Sequence, residues 1–338
     1  MSEQRVTIRS VAQAAGVSMA TVSNVLSGRH EQMATATRER VLATIEALNY
    51  QPNHVARSLV TKRTATIGLI VCDATNSLYP PVTVGAETAC QDAGYGLLLA
   101  NAAGEAGERR NVALMRAKQV DALIVFAISF LDANNGHLDA VQEAGVPVVT
   151  INRALPVQSP LSAVWFDHRG GGRQATEHLI ALGHRRIAHI AGPINRLTGI
   201  HRRQGYEDAL TAAGIPRQPR LIADGDYSFA SGEALMRALW RERPTAVFVA
   251  GDVMALGALR ALARLGARVP DDVSLVAFGN PDCVRYATPA LTTIDLPVVA
   301  AGKIAVELAL RRMQRMEEKE VRLLETALLV RETTAPPA

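Results

Sequence analysis

The sequence predicts a small all-α head followed by a two-lobed α/β core, and three observations carry that expectation. A short amphipathic helix, residues 19–27, follows a glycine bend near the N-terminus. From Ala65 onward, short runs rich in Val, Ile and Leu alternate with helical patterns. That is the βα repetition of a parallel sheet covered by helices on both faces. The series restarts near Ala163, and a late strand and helix are left without partners of their own. Two similar lobes follow, with the chain crossing between them more than twice. A length of 338 residues suits two to three domains.

In the head, Thr7 opens the first helix, its hydroxyl placed to accept from an early backbone N–H. Gly16 makes the bend. Within Met19–Ser27, Val22, Val25 and Leu26 share one face of a 3.6-residue period, while Met19, Ala20, Ser23, Asn24 and Ser27 share the other. The polar face carries no charge and only small or slender side chains, which suits a helix pushed into a narrow space. The pair fits a helix-turn-helix with Met19–Ser27 as recognition helix; an ordinary helical hairpin in a core is the plain alternative. A third helix is expected over Thr35–Leu48, with Val41, Leu42, Ile45 and Leu48 closing a three-helix core and Thr35 as its cap. Pro52 then stops this third helix, and Asn53 can cap a further helix of about two turns, too short to stand alone in water. This segment is a linker, or it becomes helical when a partner organises it, with Arg57 for phosphate and Leu59 as an apolar wedge.

In the core, strands are expected at 66–72, 96–100, 121–128 and 146–151, with helices at 82–93, 109–118 and 135–144 after the first three. In the second series, helices at 171–182, 199–213, 230–241 and 254–265 lead into strands at 186–191, 219–223, 246–250 and 273–278. A strand at 291–295, a long helix at 299–316 and one last strand-like run, 323–331, complete the chain. The expected division is a head of residues 1–50, a hinge of 51–64, and a core of 65–338. Its first lobe takes about 65–163 and 295–322, its second about 164–294 and 323–334. Two such lobes face each other across a cleft with strand C-terminal ends on both walls, where ligands of these sheets bind.

Charge placement separates head from body. Residues 1–63 hold eight bases against four acids, and the remainder holds 28 of each, so the whole excess of +4 lies in the head and hinge together. A basic head on a neutral body implies a polyanion partner for the head alone. The three cysteines, Cys72, Cys90 and Cys283, lie in or beside apolar segments without metal-ligand spacing, so buried free thiols in a reducing cytoplasm are expected. No apolar run is long enough to span a membrane, and Met-Ser-Glu-Gln-Arg-Val-Thr has no apolar signal region. The glycine run 167–173 has neither nucleotide-loop spacing and reads better as a strand-to-helix turn at the cleft rim. His178, His184 and His189 lack ligand spacing, and no serine lies in a nucleophile-elbow setting, so neither an enzyme nor a metal or other cofactor is expected.

The motifs Thr7-Ile8-(x)2-Val11-Ala12-(x)2-Ala15-Gly16-Val17-Ser18-(x)2-Thr21-Val22-Ser23-(x)-Val25-Leu26 and Leu48-Asn49-Tyr50-Gln51-Pro52-Asn53-(x)2-Ala56-Arg57-Ser58-Leu59 resemble those of the lactose-repressor/galactose-repressor family of bacterial transcription regulators. Core motifs, among them Leu182-Gly183-His184-Arg185-Arg186-Ile187-Ala188 and Gly251-Asp252-(x)-Met254-Ala255-Leu256-Gly257, extend the resemblance to about residue 333. It implies a helix-turn-helix, a hinge helix and a core like periplasmic sugar-binding proteins. The expected protein is a cytoplasmic homodimeric repressor, on the nucleoid when bound to a near-palindromic operator and switched by a small molecule in the cleft. Met19 and Ala20 take the main base-reading positions, by apolar contact such as with a thymine methyl, and Asn24 the third, able to bond an adenine edge. Thr21 and Ser23 would hold phosphates, with Thr7 and Ser18 beside them. Leu59 matches the hinge wedge, Ala56 lines the same face, and Asn53 and Arg57 flank it.

For the effector, the resemblance implies Leu78, Tyr79, Phe166 and Tyr227 as apolar or stacking walls. It also implies Asn152, Arg153, Arg202, Asp252, Gly279 and Asn280 as polar contacts or their replacements. The family often has Asp at 152, Asn-Asp at 251–252 and paired Asp at 279–280, so this cleft is short of acids. With Arg153 and Arg202 kept, an anionic effector such as a sugar acid stands beside an uncharged sugar or nucleoside. Ser10 replaces the usual acid of the first helix, which predicts a weaker cap. The chain end shows no heptad tail, favouring a dimer over a tetramer, and helices 82–93 and 255–265 are interface candidates as well as core. A solute-binding protein without a DNA role predicts an export signal and no basic head, neither of which this sequence has.

Overall fold

The computed structural model describes residues 6–26, 33–51, 63–72, 77–102, 104–126, 135–315 and 319–338. Residues up to Thr64 form one compact unit and Ala65–Ala338 a second. No helix among the described residues is long and apolar enough to cross a membrane.

The head contains α1 (Ile8–Ala15), α2 (Met19–Leu26) and α3 (Thr35–Ala47). Thr7 caps α1: its Oγ1 accepts from the Ser10 N–H while the Ser10 Oγ accepts from the Thr7 N–H, both at 3.3 Å. Serine thus does the reciprocal work of the absent acid, through long bonds. Gly16 ends the helix at φ 63°, a left-handed conformation that glycine adopts without steric cost. The Ser18 Oγ accepts from the Thr21 N–H at 3.0 Å and starts α2. Val11, Ala15, Val22, Val25, Val41 and Tyr50 bury together, with Leu26, Ile45 and Leu48 against them. Two expectations fail. Leu42 is 43% exposed, one helical step beyond the Val41–Ile45–Leu48 stripe. Ala34 occupies the N-cap of α3 without a side-chain bond, leaving Thr35 inside the helix.

The core opens with β1 (Thr66–Val71), α4 (Tyr79–Asp92), β2 (Gly96–Asn101), α5 (Gly104–Ala117), β3 (Ala122–Phe126), α6 (Gly136–Glu143), β4 (Val148–Ile151) and β5 (Ser162–Phe166). There follow α7 (His168–Ala181), β6 (Ile187–Ala191), α8 (Leu197–Ala212), β7 (Ile222–Asp224), α9 (Phe229–Trp240), β8 (Ala246–Val249), α10 (Asp252–Arg264) and β9 (Ser274–Phe278). The chain closes through α11 (Asp282–Arg285), β10 (Thr292–Asp295), α12 (Val298–Arg315), β11 (Val321–Leu324) and β12 (Ala327–Leu329). Two six-stranded sheets result, ordered β11-β5-β4-β3-β1-β2 and β12-β10-β9-β8-β6-β7. Among the described residues all pairings are parallel except β10 with β12.

The chain passes between the sheets after β5, after β10 and after β11. Ser162–Phe166 lies in the first sheet, so the lobe boundary expected near residue 163 falls inside a strand. The run 323–331 is also two strands: Leu324 pairs with Phe166 in one sheet, and Ala327 with Asp295 in the other. Alternating side chains cannot reveal a strand that changes sheet midway. Cys72 and Cys90 are buried as expected, but Cys283 is exposed, because the buried residue of its one-turn helix is the neighbouring Val284.

Helix pairs approach until glycines meet backbone. A Cβ on Gly172 of α7 would fall 2.3 Å from the Arg202 carbonyl oxygen of α8, and one on Gly205 would fall 2.1 Å from that of Arg169. The glycine run after β5 therefore serves packing. Helix α7 begins at His168, three residues before the sequence pattern shows it, with Asp167 accepting from the Gly170 N–H at 2.8 Å.

Candidate functional site: a recognition helix and an inter-lobe cleft

Ser18 just before α2 and Met19, Ala20, Ser23 and Asn24 on it are exposed and Thr21 is half-buried, opposite buried Val22 and Val25. Met19 is 46% exposed, although it is among the most apolar residues of the head. An exposed, uncharged face with one amide, set behind a capped turn, has the side chains that fit a major groove. The Thr7 hydroxyl lies at the start of α1, engaged with Ser10. The hinge residues Asn53, Ala56, Arg57 and Leu59 lie outside the described residues.

In the core, a cleft forms where strand C-terminal ends of the two lobes meet. The first lobe contributes Leu78, Tyr79, Phe126, Asn152 and Leu296; the second contributes Arg196, Thr198, Arg202, Tyr227, Asp252 and Gly279, with Phe278 below them. It encloses about 100 Å3. The Ser77 Oγ of the first lobe donates to the Asp252 Oδ2 of the second at 2.7 Å, bonding the two lobes to each other beside the cleft.

Arg202 is the centre of this site. It is 5% exposed and its guanidinium lies 3.8 Å over the Phe278 ring. Its Nη1 donates to the Ala250 carbonyl at 2.6 Å, and its Nε donates to His168 Nδ1 at 3.3 Å. Among the described residues no carboxylate lies within ion-pairing distance of it. Burial pushes its pKa down, with Tyr227 and the Asp252 carboxylate opposing. Because Arg202 donates to Nδ1, the His168 proton sits on Nε2 and is donated to Asn152 Oδ1 at 2.7 Å. Burial, then the Arg202 charge, holds the His168 pKa well below the ordinary value, so the ring is neutral. The relay Asn152–His168–Arg202 joins the end of β4 in one lobe to α8 in the other.

Three residues expected at the effector face elsewhere. Arg153 is buried against Glu108, with Nη1 2.7–2.8 Å from its carboxylate oxygens and Nε 2.5 Å from Asn135 Oδ1. Burial alone would raise the Glu108 pKa, but hydrogen bonds from His137 and Arg153 and their charges hold it below the ordinary value. The guanidinium charge is thus cancelled inside the first lobe. Asn280 accepts from Arg331 Nη2 at 2.6 Å, because the backbone at 279–280 turns it toward the C-terminal segment. Phe166 lines a different groove on the far side of His168. The sequence reading missed Phe126, Phe278, Arg196, Thr198 and Leu296. Phe126 and Phe278 are the last residues of their strands, a position the strand-end rule would have flagged.

Comparison with known proteins bears on both sites. Residues 7–53 match the family described as "Bacterial regulatory proteins, lacI family", and residues 176–334 match "Periplasmic binding protein-like domain". The chain is 39% identical over 339 residues to the HTH-type transcriptional regulator CelR of Thermobifida fusca, covering 98% of each. It is 35% identical over 333 residues to the repressor PurR of Vibrio vulnificus, covering 97% of this chain and 98% of that one. Among solved structures it is similar to a CelR–cellobiose complex (TM-score 0.74, 36% identity, 97% of this chain and 100% of that one). It is also similar to a lac repressor dimer bound to operator and the anti-inducer ONPF (TM-score 0.85, 31% identity, 98% and 100%). The chain belongs to the lacI family of bacterial regulatory proteins, DNA-binding transcriptional regulators under effector control.

Proposed function

We propose that the protein is a homodimeric repressor that binds a near-palindromic operator through α2 and the hinge, and that an uncharged sugar in the cleft controls this binding. Met19 and Ala20 read by apolar contact, Asn24 by hydrogen bonding, and Thr21 and Ser23 hold phosphates, with Thr7 and Ser18 alongside. Asn53, Ala56, Arg57 and Leu59 act in the hinge, and Leu59 unstacks a central base step. The division of labour is a head (1–50), a hinge (51–64) and a two-lobed core.

The observation that carries the effector reading is the buried Arg202 cation. Burial disfavours the Arg202 cation and the Asp252 carboxylate only partly offsets this, so further polar partners stabilise it. Sugar hydroxyls are such partners, while the Tyr79, Tyr227 and Phe278 side chains offer apolar walls and Asp252 an acceptor. Cancellation of Arg153 by Glu108 removes one of the two arginines behind a sugar-acid reading, which favours the neutral sugar. Leu78, Asn152 and the Gly279 backbone complete the wall. The cleft volume of about 100 Å3 lies below the roughly 300–1,000 Å3 of ordinary small-molecule sites. A sugar therefore parts the lobes and displaces Ser77 from Asp252, which changes lobe geometry and with it the spacing of the paired hinges.

Cellobiose is the first ligand to try, as the ligand of the related CelR complex. Calorimetry with cellobiose, other neutral sugars, aldonates and uronates tests the reading. Saturable binding of a neutral sugar, lost in Arg202→Met, is expected. Binding of acids alone would overturn it.

A further inference from the structure

A second cavity, of about 620 Å3, lies against the other side of His168, within the roughly 300–1,000 Å3 range of small-molecule sites. Its apolar wall is a consequence of topology. Parallel sheets are covered by helices on both faces. Here α12 covers one face of β5, with Arg312 Nη1 3.0 Å from Ser162 Oγ. The next helix in the chain, α7, leaves to pack on β8, β9, β10 and β12 of the second sheet. Register pairs Ala163 with Val321 and Trp165 with Leu323, and alternation places all four on the face opposite Ser162. Val321 and Leu323 are 55% and 63% exposed, although an edge strand in water favours charged side chains.

The rest of the groove adds polarity and charge. Leu197, His201 and Gln204 of α8 form the facing wall. The Asp167 carboxylate is engaged by the Gly170 N–H, and Arg169 pairs with Asp208 at 2.6 Å. Lys319 stands at the rim and donates to the Val157 carbonyl, and no carboxylate among the described residues lies within ion-pairing distance of it. One ammonium with donors to spare beside a half-buried indole and an apolar strip complements a compact anion with a flat apolar body.

We propose that this groove is a second ligand site for a small organic anion with an aromatic body, the ring on Trp165 and the charged group on Lys319. Its back wall, His168, is the residue that accepts from Arg202 of the effector cleft. The site stands apart from the effector reading, because neither Trp165 nor Lys319 lines the effector cleft.

The chain has two tryptophans, and Trp240→Phe leaves Trp165 as sole reporter. The probes are 1-anilinonaphthalene-8-sulfonate and its uncharged counterpart N-phenyl-1-naphthylamine. Saturable energy transfer from Trp165 to the sulfonate is expected, weakened at least fivefold by Lys319→Gln, with the neutral probe changed less than twofold. No saturable transfer, or equal loss of both probes in Lys319→Gln, would overturn the proposal. So would a Trp165 emission shift that follows protein concentration rather than probe, because a second copy of the chain would then cover the strip.

Discussion

Replacing His168 tests whether the lobe-spanning relay holds the cleft in its working form. His168→Leu removes the acceptor of the Arg202 Nε–H and the donor to Asn152 Oδ1, two groups the fold keeps buried. Each buried polar group left unsatisfied costs about 1–3 kcal/mol, so the pair costs about 2–6 kcal/mol. Spread over the unfolding entropy of a core this size, that lowers the midpoint by about 3–10 °C. Two conservative changes divide the relay. The Oδ1 of His168→Asn lies near the place of Nδ1 and keeps the Arg202 bond; the amide of His168→Gln lies near the place of Nε2 and keeps the Asn152 bond. Calorimetric melting and sugar titration of all three variants form the assay. The Asn variant should bind the sugar within about threefold of the parent, and the Gln variant about tenfold more weakly, a difference near 1.4 kcal/mol. A His168→Leu protein as stable as the parent, or Asn and Gln variants with equal sugar affinity, would show that the relay does not hold the cleft.

Gly172→Ala forces a methyl against the Arg202 carbonyl at 2.3 Å; a loss of about 1–3 kcal/mol in denaturant melts is expected, together with weaker sugar binding. His189 is buried, with Nδ1–H donated to the Phe248 carbonyl, and burial lowers its pKa from 6.5 to about 3. The unfolded chain takes up that proton first as pH falls, so stability is full above pH 6.5 and is lost toward pH 3, by about 1.4 kcal/mol per pH unit. His189→Asn should flatten the slope of stability against pH between 6 and 4; an unchanged slope would place the effect elsewhere. Ser10→Glu should strengthen the capping box with a better acceptor and raise head stability by a few tenths of a kcal/mol or more, while Thr7→Ala should lower it by about 1 kcal/mol; helix melting by circular dichroism checks both. Asn24→Ala should cost about 1–3 kcal/mol on the selected operator and relax preference at one base pair, read by anisotropy across single-base variants.

The head was almost fully legible because its signals are local. Thr7, Gly16 and the Val22–Val25–Leu26 stripe each act within one helical turn. Leu42 misled because a stripe edge on a three-helix core is set by its neighbours, not by periodicity. In the core, βα alternation revealed the two lobes, but the sheet change between Leu324 and Ala327 leaves no mark on an alternating run. The cleft divides the same way. Tyr79, Tyr227, Arg202 and Asp252 line it as the motifs imply. Arg153 does not, because its partner Glu108 is 45 residues distant in the chain, a pairing that no local pattern displays. The glycines at 170–172 resemble a phosphate loop in sequence, while the structure shows two helix backbones meeting at Gly172 and Gly205.

Control of operator binding by a sugar is tested by selection of duplex DNA by the purified protein, followed by anisotropy of the selected duplex across a salt series with and without cellobiose. A near-palindromic consensus, affinity that falls steeply with salt, and a shift in affinity on adding the sugar are expected. Failure to bind any duplex even at low salt would contradict it.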